Sequence, residues 1–294
     1  MVKIARKRSL YIQMVNELVK QQIFGTSKHA VKTHAIETAR AAGLRGSEVW
    51  DAMNKAVFEA GIFSFETYAN YKKVAKDFAT FCKTQGIKDI ERAKEKAPEY
   101  LKEGIESNKS AWTLKLERAA LRKVFRDREL AKEVAIPMRM KEYITRSRNP
   151  MQDSKVYEKH KDIIDFARAT GLRRRELESV RAKDVYEKDD RVYVHVRNGK
   201  GGKERNATVV AKYQNQVLKI VQNHKEEDNT KIFSQMPSIG LHVYRREYVR
   251  DRLEELRDRD KEQEKDKERE IERIREVSRD LGHGRTDVVI THYL

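Results

Sequence analysis

The sequence predicts a mainly α-helical protein that carries one small antiparallel β-hairpin or sheet. Three observations predict it. Apolar residues recur at helical spacing through most of the chain. Glycine and proline are scarce, at 13 and 4 of 294 residues, too few for a chain built on many tight β-turns. A single short stretch alternates with the period of a strand: Val192, Val194 and Val196 face one way, and Tyr193, His195 and Arg197 the other. Hydrophobic and charged residues each make up 38% of the chain, so its cores must be modest and helix-rich. The length allows two domains, or two and a small third.

The elements follow in order. Leu10, Tyr11, Met14 and Leu18 mark a first helix behind the basic residues Lys3, Arg6, Lys7 and Arg8. Gly25-Thr-Ser breaks it. A second helix, from Ala30 to Ala42, ends at Gly43. A third, with Val49, Trp50, Met53 and Val57 on its apolar side, ends near Gly61. Residues 1–62 thus read as a small helical accessory unit. Ser64 can cap a fourth helix whose apolar face is Tyr71, Val74, Phe78 and Phe81. Leu114, Leu121, Val124 and Phe125 form a comparable stripe, and residues 63–146 read as a helical domain with Lys and Arg between the stripes. The basic stretch from Arg139 to Ser154, with Asn149-Pro150, has weak periodicity and reads as a linker.

Residues 147–294 change character. A helix around Ile163 to Ala169 stops at Thr170-Gly171, and another runs from about Arg173 to Arg181. The alternating strand comes next. Asn198-Gly-Lys-Gly-Gly is its turn, and Arg205 to Val210 is the returning strand. Helices fill the rest. Residues 251–276 are almost all charged, with acids and bases interleaved, as in a solvated helix held by pairs three and four residues apart.

The net charge of +17 points to a polyanionic partner, because phosphate counterions released by Lys and Arg drive binding, with an anionic membrane surface as the rival reading. No apolar run approaches the ~20 residues that span a bilayer, and no secretory signal opens the chain. The single cysteine, Cys82, excludes an internal disulfide and a Cys-based zinc site. No Asp/Glu/His cluster has metal-ligand spacing, so neither a metal nor an organic cofactor is expected. These features fit a cytoplasmic protein that works on nucleic acid.

Five short segments could carry chemistry. Thr170-Gly-Leu-Arg-Arg-Arg-Glu-Leu177 sets Arg173 and Glu176 at a helix start. Asn198-Gly-Lys-Gly-Gly-Lys-Glu-Arg205 presents Lys200, with Lys203 in reserve, on a glycine turn that allows close approach to a backbone. Leu241-His-Val-Tyr-Arg245 puts His242 and Arg245 three apart on one helical face, followed by Arg246. Leu281-Gly-His-Gly284 offers His283, and Thr291-His-Tyr-Leu294 offers Tyr293, one of 12 tyrosines. Taken singly, each has a plainer reading: a helix corner, a solvated turn, a structural His–Arg pair or a core tyrosine. Together they supply what transfer of a phosphodiester to a side chain needs without a metal. The needs are a nucleophile, cations on the non-bridging oxygens, an acid for the leaving oxygen and a group to help the nucleophile lose its proton.

In this order the segments resemble the motifs of the tyrosine site-specific recombinases, the family of phage and transposon integrases. The resemblance covers roughly residues 63–294, with its motifs in 155–294. It implies a catalytic domain at 147–294, a core-binding helical domain at 63–146 that closes a clamp on the DNA, and an arm-binding or accessory role for 1–62. It assigns Tyr293 as nucleophile and Lys200 as general acid. Arg173 and Arg245 become phosphate clamps, His242 and His283 phosphate contacts, and Glu176 a supporting residue. It implies recombination sites in double-stranded DNA as the substrate, a homotetramer on that DNA, and DNA-bending factors from the host or the mobile element. Neither metal nor ATP is required, since the phosphotyrosyl link conserves the bond energy. Should Tyr293 fail, Tyr244 and Tyr248 rank next by their place beside the His-x-x-Arg segment.

Three departures from the family pattern stand out. The interval between Arg245 and Gly282 is long, and the charged run fills it. His292 occupies the more usual tyrosine spacing from His283, with Tyr293 one residue on. The chain stops one residue after Tyr293, where many relatives continue into a tail. Two other activities remain open to such a sequence: a type IB topoisomerase, which typically has Lys where His242 stands, and a non-catalytic DNA-binding regulator derived from a recombinase.

Overall fold

The structure, a computed structural model, describes residues 9–140, 153–200, 202, 204–224, 227, 229–260 and 267–294. The chain forms two compact units, Met1–Thr145 and Arg146–Leu294.

The first unit is all helix among its described residues: α1 (Leu10–Val19), α2 (Lys28–Ala41), α3 (Gly46–Ala60), α4 (Phe65–Thr84), α5 (Ile90–Lys94), α6 (Ala97–Glu106) and α7 (Ala111–Val124). Its helices start where short polar side chains can satisfy an orphan amide. Ser9, Ser27, Ser64, Asp89 and Ser110 each accept a hydrogen bond from a backbone N–H of the first turn. Such a cap is worth about 1 kcal/mol. The core gathers Met14 and Leu18 of α1, Phe78 of α4, Leu101 of α6 and Leu121 of α7, so the first helix shares one interior with α4 to α7. Helices α2 and α3 pack on each other. The buried Lys123 ammonium of α7 reaches the Phe58 carbonyl and lies 4.7 Å from the Phe58 ring centre. Burial pushes its pKa down to about 8.

Trp50 departs from the apolar stripe read in the sequence. Val49 and Met53 are buried, but Trp50 is 60% exposed. One residue along a helix is about 100° of arc, which carries Trp50 off the stripe that Val49 and Met53 define.

The second unit runs α8 (Ser154–Lys159), α9 (Lys161–Thr170), α10 (Arg174–Ser179), β1 (Val185–Lys188), β2 (Arg191–Val196), β3 (Arg205–Thr208), α11 (Gln214–Asn223), α12 (Tyr244–Arg259), α13 (Lys267–Asp280) and α14 (Asp287–His292). The architecture is therefore mainly α with a small three-stranded antiparallel sheet, ordered β1-β2-β3. Val192, Val194 and Val196 point into the core, as the alternation requires, and meet Ile164, Phe166, Leu177, Val217 and Ile220. Strand β1 was not legible. Its four residues, Val-Tyr-Glu-Lys, do not alternate in burial and are recruited by pairing with β2.

The charged run turns out to lie on two helices, α12 and α13, with 261–266 outside the described residues. A second core hides among its charges: Tyr248, Leu253, Leu256, Ile274, Val277, Leu281, Val289 and Tyr293. The ion pairs are not all solvated neighbours on one helix. Arg252 is buried and bonds Glu255 at 2.9 Å, Glu276 at 2.6 Å and Asp280 at 3.3 Å. Arg273 joins Asp260 at 2.9 Å and Glu270 at 3.1 Å. Helix α12 thereby links two interiors, with Tyr244 in the core under the sheet and Tyr248 in the core shared with α13. The linker read at 139–154 lies mostly outside the described residues.

Candidate active site

The site begins with a helix stop. Gly171 ends α9 in the left-handed conformation at φ +62°, and a Cβ there would stand 2.6 Å from the Tyr248 ring. Only glycine fits such a turn without strain. The turn leaves Arg173 at the N-cap of α10. Its backbone N–H donates to Glu176 Oε2 at 2.8 Å, and its Nη1 donates to Oε1, also at 2.8 Å. Glu176 is itself buried. Burial would raise its pKa, but hydrogen bonds and charge from Arg205, then from Arg173, overcome that and hold it at about 2. It is a permanent anion.

Arg245, in the first turn of α12, has no exposed surface. Its Nε donates to the Tyr293 hydroxyl at 3.0 Å. One Nη reaches the Gly171 carbonyl, and the other donates to the Leu281 carbonyl at 2.6 Å and to His283 Nε2 at 3.2 Å. Burial pulls its pKa down to about 10, which leaves it charged at neutral pH. Tyr293 is only 8% exposed, and its carbonyl accepts from Arg246 Nε at 3.2 Å. The rings of His242 and His283 each lie 5.9 Å from the Tyr293 ring centre. His242 sits in a single turn of 3-10 helix, Leu241–Val243, that leads into α12, and not inside the long helix itself.

His283 follows Gly282, which closes α13 at φ +65°. Burial and then the charges of Arg245, Arg173, Lys200 and Arg205 press its pKa down to about 4. It is therefore neutral at pH 7. Arginine can only donate, so His283 Nε2 accepts from Arg245 and the ring proton belongs on Nδ1. Lys200 is exposed in the turn between β2 and β3, and its charge is among those felt at His283. Lys203 lies outside the described residues.

His242, Arg245 and His283 thus surround the Tyr293 phenol, Arg173, paired with Glu176, is near enough for its charge to be felt at Arg245 and His283, and Lys200 lies on the turn between β2 and β3. The two alternative tyrosines stand elsewhere. Tyr248 is fully buried and donates to the Thr208 carbonyl at 2.9 Å and to Asp280 Oδ2 at 3.0 Å, and Tyr244 is buried under α9. His292, at the more usual spacing, is exposed, while Tyr293 turns inward. Sequence reasoning missed Arg205, which donates to both oxygens of Glu176 at 3.0 and 2.8 Å. Its signal was present: it is the final residue of the glycine-turn segment that singled out Lys200.

The family model for the phage integrase family matches residues 139–282. Residues 139–282 are a phage integrase family domain. The matched span holds Arg173, Glu176, Lys200, His242 and Arg245, stops one residue before His283 and leaves Tyr293 beyond it. The fold of the chain is similar to that of XerH, described as a site-specific recombinase bound to difH substrate in a pre-cleavage complex. The TM-score is 0.52 at 17% identity, over 97% of this chain and 92% of that one. A Tn1549 transposon integrase in complex with circular intermediate DNA matches with a TM-score of 0.48 at 14% identity, over 82% of this chain and 93% of that one. No curated protein matches the chain. Among the described residues, no helix is long and apolar enough to cross a membrane, and no group of three His, Cys, Asp or Glu could hold a metal ion.

Proposed function

We propose that this chain, which carries a phage integrase family domain, is an enzyme that cuts and rejoins double-stranded DNA at specific sites through a 3′-phosphotyrosyl intermediate. One observation supports the reading above the others: the Tyr293 hydroxyl meets the Nε of a buried Arg245 at 3.0 Å, between two histidines. A phenol is a weak nucleophile while it holds its proton. A guanidinium donor at its oxygen stabilises the phenolate, and His242, exposed beside the ring, would take the proton.

The phenolate oxygen then attacks phosphorus, the bond to the 5′-oxygen breaks, and Lys200 protonates the leaving oxygen. Arg173 is 19% exposed in its side chain and can reach a phosphate on the pocket floor. Arg245, whose donors are engaged by protein groups, acts on the developing charge from behind. His283 is neutral and offers a hydrogen bond rather than a charge. Rejoining reverses the steps with a 5′-hydroxyl from the same or another strand. Residues 63–146 would grip the duplex as a core-binding domain, residues 1–62 would serve as an arm-binding or accessory unit, and 147–294 would be the catalytic domain. The working form would be a homotetramer on two recombination sites, with DNA-bending factors from the host or the element.

The test is covalent capture. The full chain is incubated with nicked duplexes of randomised sequence, and DNA bound through denaturation is recovered and sequenced. A wild-type adduct located on Tyr293 by mass spectrometry, and absent in Tyr293→Phe, is the expected result. An adduct on another residue, or none from wild type, overturns the reading.

A further inference from the structure

Arg205 opens β3 with its side chain only 9% exposed. Its planar fork meets Glu176 with both amino groups, at 3.0 Å to Oε1 and 2.8 Å to Oε2. Its Nε turns the other way and donates to the Asp280 carbonyl at 2.7 Å. Gly282 lies flat against it: a Cβ there would stand 3.0 Å from Arg205 Cδ and 3.1 Å from Nε. Three stretches far apart in sequence therefore close on one guanidinium. They are the start of α10, the start of β3 and the corner at 280–283.

Glu176 shows what this closure does. A carboxylate offers about four lone-pair positions. Arg205 fills two of them, and the backbone N–H and Nη1 of Arg173 fill the others at 2.8 Å each. No acceptor site remains on Glu176 for a proton or a substrate. Its only possible task is to join two arginines. Arg173 is aimed by Glu176, Glu176 is fixed by Arg205, and Arg205 is fixed by the backbone three residues before His283.

We infer that Arg205 is a positioning residue: it locks Glu176, and through it Arg173, to the corner that presents His283, while touching no reacting atom. The inference rests on the phosphotyrosyl reading above and deepens it. Lysine cannot replace it, because a point charge on a flexible stem cannot hold both carboxylate oxygens and the Asp280 carbonyl at once.

Two measurements on the full chain test this. The first needs no DNA. The His283 imidazole is followed by nitrogen NMR against pH, assigned by its loss in His283→Gln. It should titrate near 4 in the wild type and at higher pH in both Arg205→Gln and Arg205→Lys. A titration unmoved in Arg205→Lys, which keeps the charge and loses the fork, refutes positioning. The second uses the nicked duplex recovered from the randomised pool. Arg205→Lys should bind it as the wild type does but form the adduct about 10²-fold more slowly, the usual consequence of a misplacement near 1 Å. Adding Glu176→Gln should slow it no further, because both changes release the same Arg173. A wild-type rate in Arg205→Lys, or losses that multiply in the double variant, overturns the inference. If the wild type forms no adduct at all, the catalytic reading fails, and the NMR result alone decides whether Arg205 holds the corner.

Discussion

Among single residues, Arg245 and Arg173, both proposed to act in the attack by Tyr293, differ in what a substitution will reveal. Arg245 is fully buried and donates to the Gly171 and Leu281 carbonyls as well as to Tyr293. Arg245→Ala leaves those carbonyls unpaired, at about 1–3 kcal/mol each. The expected outcome is a lowered melting temperature together with loss of adduct. Arg173 is half-buried and caps a helix from its rim. Arg173→Ala should melt near the wild type, bind DNA, and lose about 10²–10³-fold in adduct formation. Equal melting of the two variants would contradict this division. Acidity gives a second residue-level outcome. The folded pKa of His283, about 4, lies below the unfolded value of about 6.5. Its contribution to stability is complete above about 6.5 and is lost as the pH falls through 4. Glu176, held at about 2 against an unfolded value of about 4.3, acts likewise: its contribution is complete above about 4.3 and is lost as the pH falls through 2. Melting temperature followed from pH 7 to pH 2 should therefore fall less steeply in His283→Gln than in the wild type across the first window, and equally in the second.

At the scale of elements, the left-handed stop at Gly171 sets the register of everything after it. Gly171→Ala would force a strained φ, at roughly 1–2 kcal/mol, and press a methyl to 2.6 Å from Tyr248, at about 1–3 kcal/mol more. A drop in thermal stability with displaced Arg245 chemistry is expected. A variant that melts like the wild type would show that the turn has slack. This element was legible in the sequence because a glycine after a helical run is a local signal, as were the helices and the Val192–Val194–Val196 strand. What escaped was decided by partners distant in the chain. Nothing near Arg205 says that it will meet Glu176 or the Asp280 carbonyl. Nothing near Arg252 says that one arginine in a run of charges will be buried against Glu276 and Asp280. Strand β1 lacks alternation and exists because β2 offers it an edge. The proposed site residues were picked out as motifs, whereas the neutral state of His283 required the cations around it to be placed in space.

Over the whole molecule, the +17 charge would set how the protein meets its proposed DNA substrate. The logarithm of affinity should fall linearly with the logarithm of salt concentration, by about 0.9 for each phosphate neutralised, and a flat response in a titration from low to moderate salt would rule out electrostatic attraction. The last consequence concerns the seat of Tyr293, the proposed nucleophile. Tyr293 is held through its hydroxyl by Arg245 and through its carbonyl by Arg246, both on α12 of its own chain. Two defective copies therefore have nothing to lend each other. A mixture of Tyr293→Phe and Arg245→Lys proteins, each silent alone, should remain silent on the same duplex. If activity returned on mixing, one copy's tyrosine would have entered its neighbour's pocket. Inheritance of the reaction would then follow the assembly rather than the chain, whereas a tyrosine held by α12 of its own chain would make every copy stand or fall alone.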